Sequence, residues 1–242
     1  MRAQKLLELR NVTRRSSSIL LSHMRAAIES ADATALKQSA YEIQLAQLGK
    51  KRFDDDLLRM LLDLYADPQV HALKDASAIL EPLDFDADKL TSRQRRAVVE
   101  ALERVYPFFL DRLTQFYITE FVGRKFADEH ALWLFNRLMT VGDPGARALV
   151  AHGLEHLVCA GSGGVARKAF TALLSLVHDQ ADEVITEALL SLERIVRANG
   201  ILADEAQQLL ASFANHERAT ISEVARGLIA HIMRMRDQRP TA

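Results

Sequence analysis

"GDPGARALVAHGLEHLVCAGSGG", residues 142–164, is bounded by glycine-rich breaks and shows no alternation of polar and apolar residues. Asp143 stands directly before Pro144. An aspartate can accept hydrogen bonds from the unpaired N–H groups of a first helical turn, and a proline at that turn removes an N–H that would have no partner. The stretch therefore predicts a helix opening at Pro144. With Leu149 as zero and about 100° per residue, Leu149, Val150, Gly153, Leu154, Leu157 and Val158 span an arc of about 180°. That arc is the expected buried stripe. His152, His156 and Cys159 fall on the opposite face at i, i+4 and i+7, so they are expected to meet one another and to avoid the core.

The same letters recur at a fixed distance. "GLEHLV" (153–158) and "GLIAHIM" (227–233) are offset by 227 − 153 = 74 residues, twice 37, with "ALLSL" (188–192) between them. Pro107 and Pro144 are also 37 apart. A period of this length is the signature of stacked two-helix units. Laid along the chain, it predicts first helices near 17, 54, 91, 128, 165 and 202, and second helices near 33, 70, 107, 144, 181 and 218. Breaks such as "ESADA" (29–33), "ADPQ" (66–69), "HDQAD" (178–182) and "NGILAD" (199–204) fall between them. The fold class expected is all-α, a solenoid of about six helical hairpins.

Two-helix units of this period, with Asp143-Pro144 opening a second helix and Arg147 three residues later, resemble HEAT repeats. The resemblance is best over 128–235, fair over 91–127 and weakest before that. It implies a right-handed, armadillo-like stack with the second helices lining a concave surface, a form used mostly to bind proteins. The expected organisation is one helical-repeat domain over 1–242. It would comprise a basic N-terminal cap at 1–16, irregular repeats over 17–90, regular repeats over 91–235 and a tail at 236–242.

Composition narrows the function. The chain has 242 residues, 49% of them hydrophobic and 26% charged, with a net charge of −1. No global basic field draws it to nucleic acid. From 143 to 242 there are ten Lys/Arg against twelve Asp/Glu. Arg93, Arg95, Arg96, Arg104, Arg112, Arg124 and Lys125 are the residues available for a local basic patch. One cysteine leaves no intrachain disulfide and fits a reducing, cytoplasmic setting. No stretch approaches the apolar length of a membrane span.

The candidate site follows from the repeat. Aligned on Gly-Leu and Ala-Leu, His152 corresponds to Glu187 and Arg226, His156 to Ser191 and Ala230, and Cys159 to Arg194 and Met233. His152, His156, Cys159, Glu187, Ser191, Arg194 and Arg226 are thus the expected groove, mixed in charge and suited to a polypeptide partner. His152, Glu155 and His156 also spell H-x-x-E-H, a zinc-peptidase pattern. A peptidase needs a further carboxylate ligand and a substrate-binding strand, which an all-helical chain lacks. Two imidazoles and the Cys159 thiol are a chemically sound metal set, but no metal or cofactor is expected there.

Asp84, Asp86 and Asp88 open like a calcium loop, yet Lys89 and Arg95 stand where such a loop needs glycine and glutamate. An acidic loop leading to a helix capped at Thr91 is the ordinary reading. Nine of fifteen aromatics lie within 106–135. Phe109, Leu113, Phe116 and Tyr117 form a stripe expected in the core, whereas Tyr106 and Phe108 lie off it and are candidate hydrophobic anchors for a partner. The leading expectation is a non-enzymatic scaffold, adaptor or cognate inhibitor. The alternative is nucleic-acid engagement, since some DNA glycosylases are built from HEAT-like repeats and resemble this chain in architecture alone. Oligomeric state is open.

Overall fold

Thr91 shows how the chain opens its helices. Its hydroxyl accepts from the backbone N–H of Gln94, and the Gln94 side chain accepts from the Thr91 N–H at 2.9 Å, closing a capping box at the start of a helix over Ser92–Val105. The Gln94 amide then donates to Phe53 O at 2.9 Å and to Asp55 at 2.7 Å, which ties this start to that of the helix at Asp55–Tyr65. Aspartates cap elsewhere: Asp32, Asp54, Asp67, Asp128 and Asp143 each accept from N–H groups of the turn that follows.

A computed structural model describes residues 17–237, which are helical throughout with short connections. In order, the α-helices are α1 Ser17–Glu29, α2 Ala33–Gln47, α3 Asp55–Tyr65, α4 Pro68–His71, α5 Glu81–Phe85, α6 Ser92–Val105, α7 Arg112–Lys125, α8 Glu129–Leu138, α9 Pro144–Ala160, α10 Gly163–Leu176, α11 Asp182–Ala198, α12 Ala203–Ser212 and α13 Ala219–Asp237. The expected basic cap at 1–16 lies outside the described residues. Two compact units divide the chain, one up to Ile118 and one from Thr119.

Helix starts expected near 17, 33, 54, 91, 128, 144, 165, 181, 202 and 218 are found at 17, 33, 55, 92, 129, 144, 163, 182, 203 and 219. Two expectations fail, both in the N-terminal unit. In place of a long helix from 70 there is the four-residue α4, a 3₁₀ turn at Ala76–Ile79 and the five-residue α5. Pro107 opens only a 3₁₀ turn at Tyr106–Phe108. The helix waits for Asp111, whose carboxylate caps the N–H groups of Leu113 and Thr114 at 3.2 and 3.1 Å. A capping carboxylate satisfies two donors, whereas proline removes one, so the cap sets the boundary.

The C-terminal unit is the regular part. The second helices α9, α11 and α13 pack in sequence, α9 on α11 and α11 on α13. The first helices pack against their partners: α8 on α9, and α12 on α13. Each helix thus buries residues against several neighbours. α11 buries Val184, Ile185, Ala188, Leu189, Leu192, Ile195 and Val196, and ends at Asn199, held left-handed at φ 53. Gly153 has a separate reason to be glycine. A Cβ there would sit 2.6 Å from Phe135 Cζ and 3.0 Å from Thr119 Cβ, and one on Gly123 would strike the Gly153 carbonyl oxygen.

Candidate functional site

α9 and α11 bring five polar side chains together: His152, Glu155 and His156 from the first, Glu187 and Arg194 from the second. Arg194 Nη1 lies 2.9 Å from Glu187, 3.2 Å from Glu155 and 3.2 Å from His152 Nδ1. His152 Nδ1 is 3.4 Å from Glu155. On the far side of the ring, His152 Nε2 is 3.3 Å from His156 Nε2, with the imidazoles edge to face. Helix geometry explains the convergence. Positions 152, 155 and 156 share one face of α9, and 187 and 194 one face of α11.

Burial corrects the expectation for His152. It is only 7% exposed, as is Glu155, rather than lying on an open face. A helical wheel assigns one buried stripe, but α9 packs on α8, α10 and α11, so a second arc is covered as well. Ser191, expected in the groove, is fully buried, and its hydroxyl oxygen has no hydrogen-bond partner. His156 and Glu187 are half-buried, Arg194 likewise, and Cys159 is exposed. Arg226 is elsewhere: its guanidinium bonds Ser222 O and Oγ within α13.

The electrostatics follow from the geometry. Burial pushes the Glu155 carboxyl up, but the His152 hydrogen bond and the Arg194 charge outweigh it and hold Glu155 below the usual carboxylate range. Burial pushes His156 below its ordinary 6.5, with Glu155 and Glu120 pulling the other way. Burial of one side of Cys159, together with the Glu155 charge, raises its thiol to about 11. Cys159 is therefore a thiol near neutral pH. Glu155, committed to His152 and Arg194, is not placed to hold a water as a peptidase base. Among the described residues, no three His, Cys, Asp or Glu side chains converge as a metal shell.

Sequence reasoning weighed Glu155 only within the H-x-x-E-H pattern, used the histidine of "GLIAHIM", His231, only as a mark of the repeat, and passed over Glu193. Glu193, 3% exposed, bonds His231 Nδ1 at 3.0 Å and Arg197 at 2.7 Å. The repeat of histidine after Gly-Leu in α9 and α13 was the available signal.

The two proposed anchors part company. Tyr106 is fully buried, its carbonyl accepting from Gln115, and is no surface anchor. Phe108 is 61% exposed and stacks on His71. Two residues of the expected core stripe also reverse. Leu113 and Phe116 are exposed, as is Leu110: the helix begins only at Arg112, so Phe109 is not part of it, and the face it buries carries Thr114, Gln115 and Ile118. Asp84 accepts from the Tyr117 hydroxyl at 3.0 Å, and Asp86 is buried beside Lys89 at 2.6 Å.

Within the N-terminal unit, a cleft of about 420 Å³ lies between α3 and α6. Arg93 and Arg104 line it together with Asp55, Asp56, Asp63 and Glu100, so the expected basic patch is interleaved with carboxylates. Arg96 is paired with Glu100 at 2.8 Å.

No family model and no curated protein matches the chain. Among solved structures, a designed armadillo repeat protein is similar over 86% of this chain and 98% of that one, at 14% identity and a TM-score of 0.37. So low a score shows a loose likeness and assigns neither family nor function.

Proposed function

We propose that the protein is a non-enzymatic scaffold that binds a polypeptide partner, in the manner of an adaptor or a cognate inhibitor. The observation that carries this reading is the state of the charges in the C-terminal unit. Arg147 is paired with Asp179, Lys168 with Glu129, Arg194 with Glu155 and Glu187, Arg197 with Glu193, and Arg218 with Asp182. A surface built for a phosphate backbone keeps cations of one sign available for it. Here these five are spent on neighbouring carboxylates, leaving mixed charge with scattered apolar area such as Trp133 and Met233. That composition favours recognition by complementary charge and apolar contact.

The test is capture of partners from lysate by the full chain, with and without nuclease, comparing wild type with Arg226→Glu and Leu113→Asp. Both residues are exposed, so both variants are expected to keep the fold. A protein retained after nuclease and lost with either variant supports the reading. Material released by nuclease overturns it in favour of nucleic-acid binding.

A further inference from the structure

Five large apolar side chains of the N-terminal unit are exposed within residues 85–116. Phe85, Phe108, Leu110 and Leu113 are each more than half exposed, and Phe116 is exposed as well. Single apolar residues on a surface need no explanation, whereas a contiguous patch marks an interaction site. Local hydrogen bonds draw these five together. Leu110 donates its N–H to His71 O at 3.2 Å, and the His71 ring stacks on Phe108. On α7, Leu113, Phe116 and Tyr117 lie three and four residues apart and share a face. The Tyr117 hydroxyl donates to Asp84 at 3.0 Å, which sets α5, and Phe85 with it, at the edge of that face.

A carboxylate at the same edge shows which charge the patch lacks. Glu81, one turn before Phe85 on α5, is half-buried, and among the described residues it has neither a hydrogen-bond nor an ion-pair partner. Burial raises its carboxyl above the ordinary range, and Asp84 and Asp75 add to that rise. Lys37 opposes it, but Lys37 is itself paired with Asp75 at 3.4 Å. A half-buried carboxylate without its own cation is costly, and an arriving ammonium or guanidinium group relieves the cost.

The backbone under the patch decides the form of what it can receive. The N–H of Leu110 is taken by His71 O, and those of Leu113 and Thr114 by the Asp111 carboxylate. No backbone edge is offered to an extended strand, whereas a helix pairs its own backbone and needs only side-chain contacts. We propose that this surface docks an amphipathic helix of a polypeptide partner, its apolar anchors set on Phe108, Leu113 and Phe116 and a Lys or Arg beside Glu81. The proposal rests on the reading of the protein as a polypeptide-binding scaffold and adds to it a surface and a kind of partner.

The probe is a fluorescein-labelled Leu/Lys peptide of about 18 residues, with leucines on one helical face, added to the full chain and read by anisotropy. Saturable one-to-one binding that weakens with salt is expected, and none for the same peptide with glutamate in place of lysine. Leu113→Asp and Phe108→Ser are each expected to weaken binding at least about tenfold while circular dichroism stays helical. Glu81→Gln is expected to weaken it about threefold and to flatten the salt dependence. Met233→Asp, at an exposed apolar position of α13, is expected to leave it unchanged. Equal binding of the glutamate peptide, equal loss with Met233→Asp, or binding that survives Leu113→Asp would overturn the proposal. A dimer in sedimentation velocity that Leu113→Asp abolishes would overturn it in favour of a second copy of the chain. Tighter binding by Lys5→Glu/Arg10→Glu would overturn it in favour of the chain's own basic N-terminal segment. If the peptide fails to bind while capture of a protein from lysate still depends on Arg226, this proposal falls and the scaffold reading stands.

Discussion

Glu193 and Arg194 are neighbours in α11 and reach in opposite directions, Glu193 to His231 of α13 at 3.0 Å and Arg194 to His152 of α9 at 3.2 Å. Successive helical residues are separated by about 100°, so one dipeptide can serve both flanking helices of a stack. The C-terminal unit is thereby tied on both sides of α11 by charge as well as by apolar packing.

A second tie joins the repeats at their turns. Arg147 grips Asp179 with Nε and Nη2, both at 3.0 Å, and its Nη1 donates to Val141 O and Gly142 O. The Arg147 hydrogen bonds hold the Asp179 carboxyl below its usual range. Asp179→Asn is expected to cost about 1–3 kcal/mol, since the charged pair is largely buried and Arg147 loses its counter-charge. Urea unfolding of the two proteins measures it.

Gly153→Ala is expected to destabilise the C-terminal unit by about 1–3 kcal/mol, the ordinary cost of overpacking. The added methyl would lie 2.6 Å from the Phe135 ring, which is itself fully buried and has nowhere to move. Gly164→Ala is the control, because nothing lies within 4 Å of a Cβ there. It is expected to leave the melting temperature the same or slightly higher, as alanine is the better helix former.

Acid is expected to weaken the unit in two stages. His156 is depressed below 6.5 in the folded chain. As pH falls below that value, the unfolded chain takes up a proton that the folded one refuses, and stability drops. Glu155 and Asp179 are depressed from 4.5 and 3.8. Their contributions are whole above those values and are lost as pH falls through the lower folded ones. Urea midpoints are therefore expected to be highest near and above neutrality, lower at about pH 5.5 and lower still at about pH 4. His156→Gln removes the first stage and keeps the second.

Leu113→Asp is expected to change stability by no more than about 0.5 kcal/mol, because its side chain is 68% exposed. A large loss by thermal unfolding would mean that the residue belongs to the core, as its helical spacing suggested.

Much of the architecture is legible in the sequence because helices are local. Asp143-Pro144 opens α9 at the residue expected, and the 37-residue period places α8, α9, α11, α12 and α13 within a residue of their observed starts. Capping, periodicity and turn chemistry act over a few residues, so the chain states them directly. The stretch after α3 resisted for the same reason. A strict period cannot announce that α4 stops after four residues or that Asp111 outcompetes Pro107 as a helix start.

Only the tertiary structure decided which polar residues matter. The sequence determined that His152 and His156 share a face, since helical spacing is intrinsic to the backbone. It did not determine that the face is covered, because that depends on α11 packing against it. Nor did it bring Arg194 and Glu187 to Glu155, 32 to 39 residues away. Packing sums contributions from several helices at once, and burial, pairing and shifted proton affinities follow from that sum rather than from any one stretch of chain.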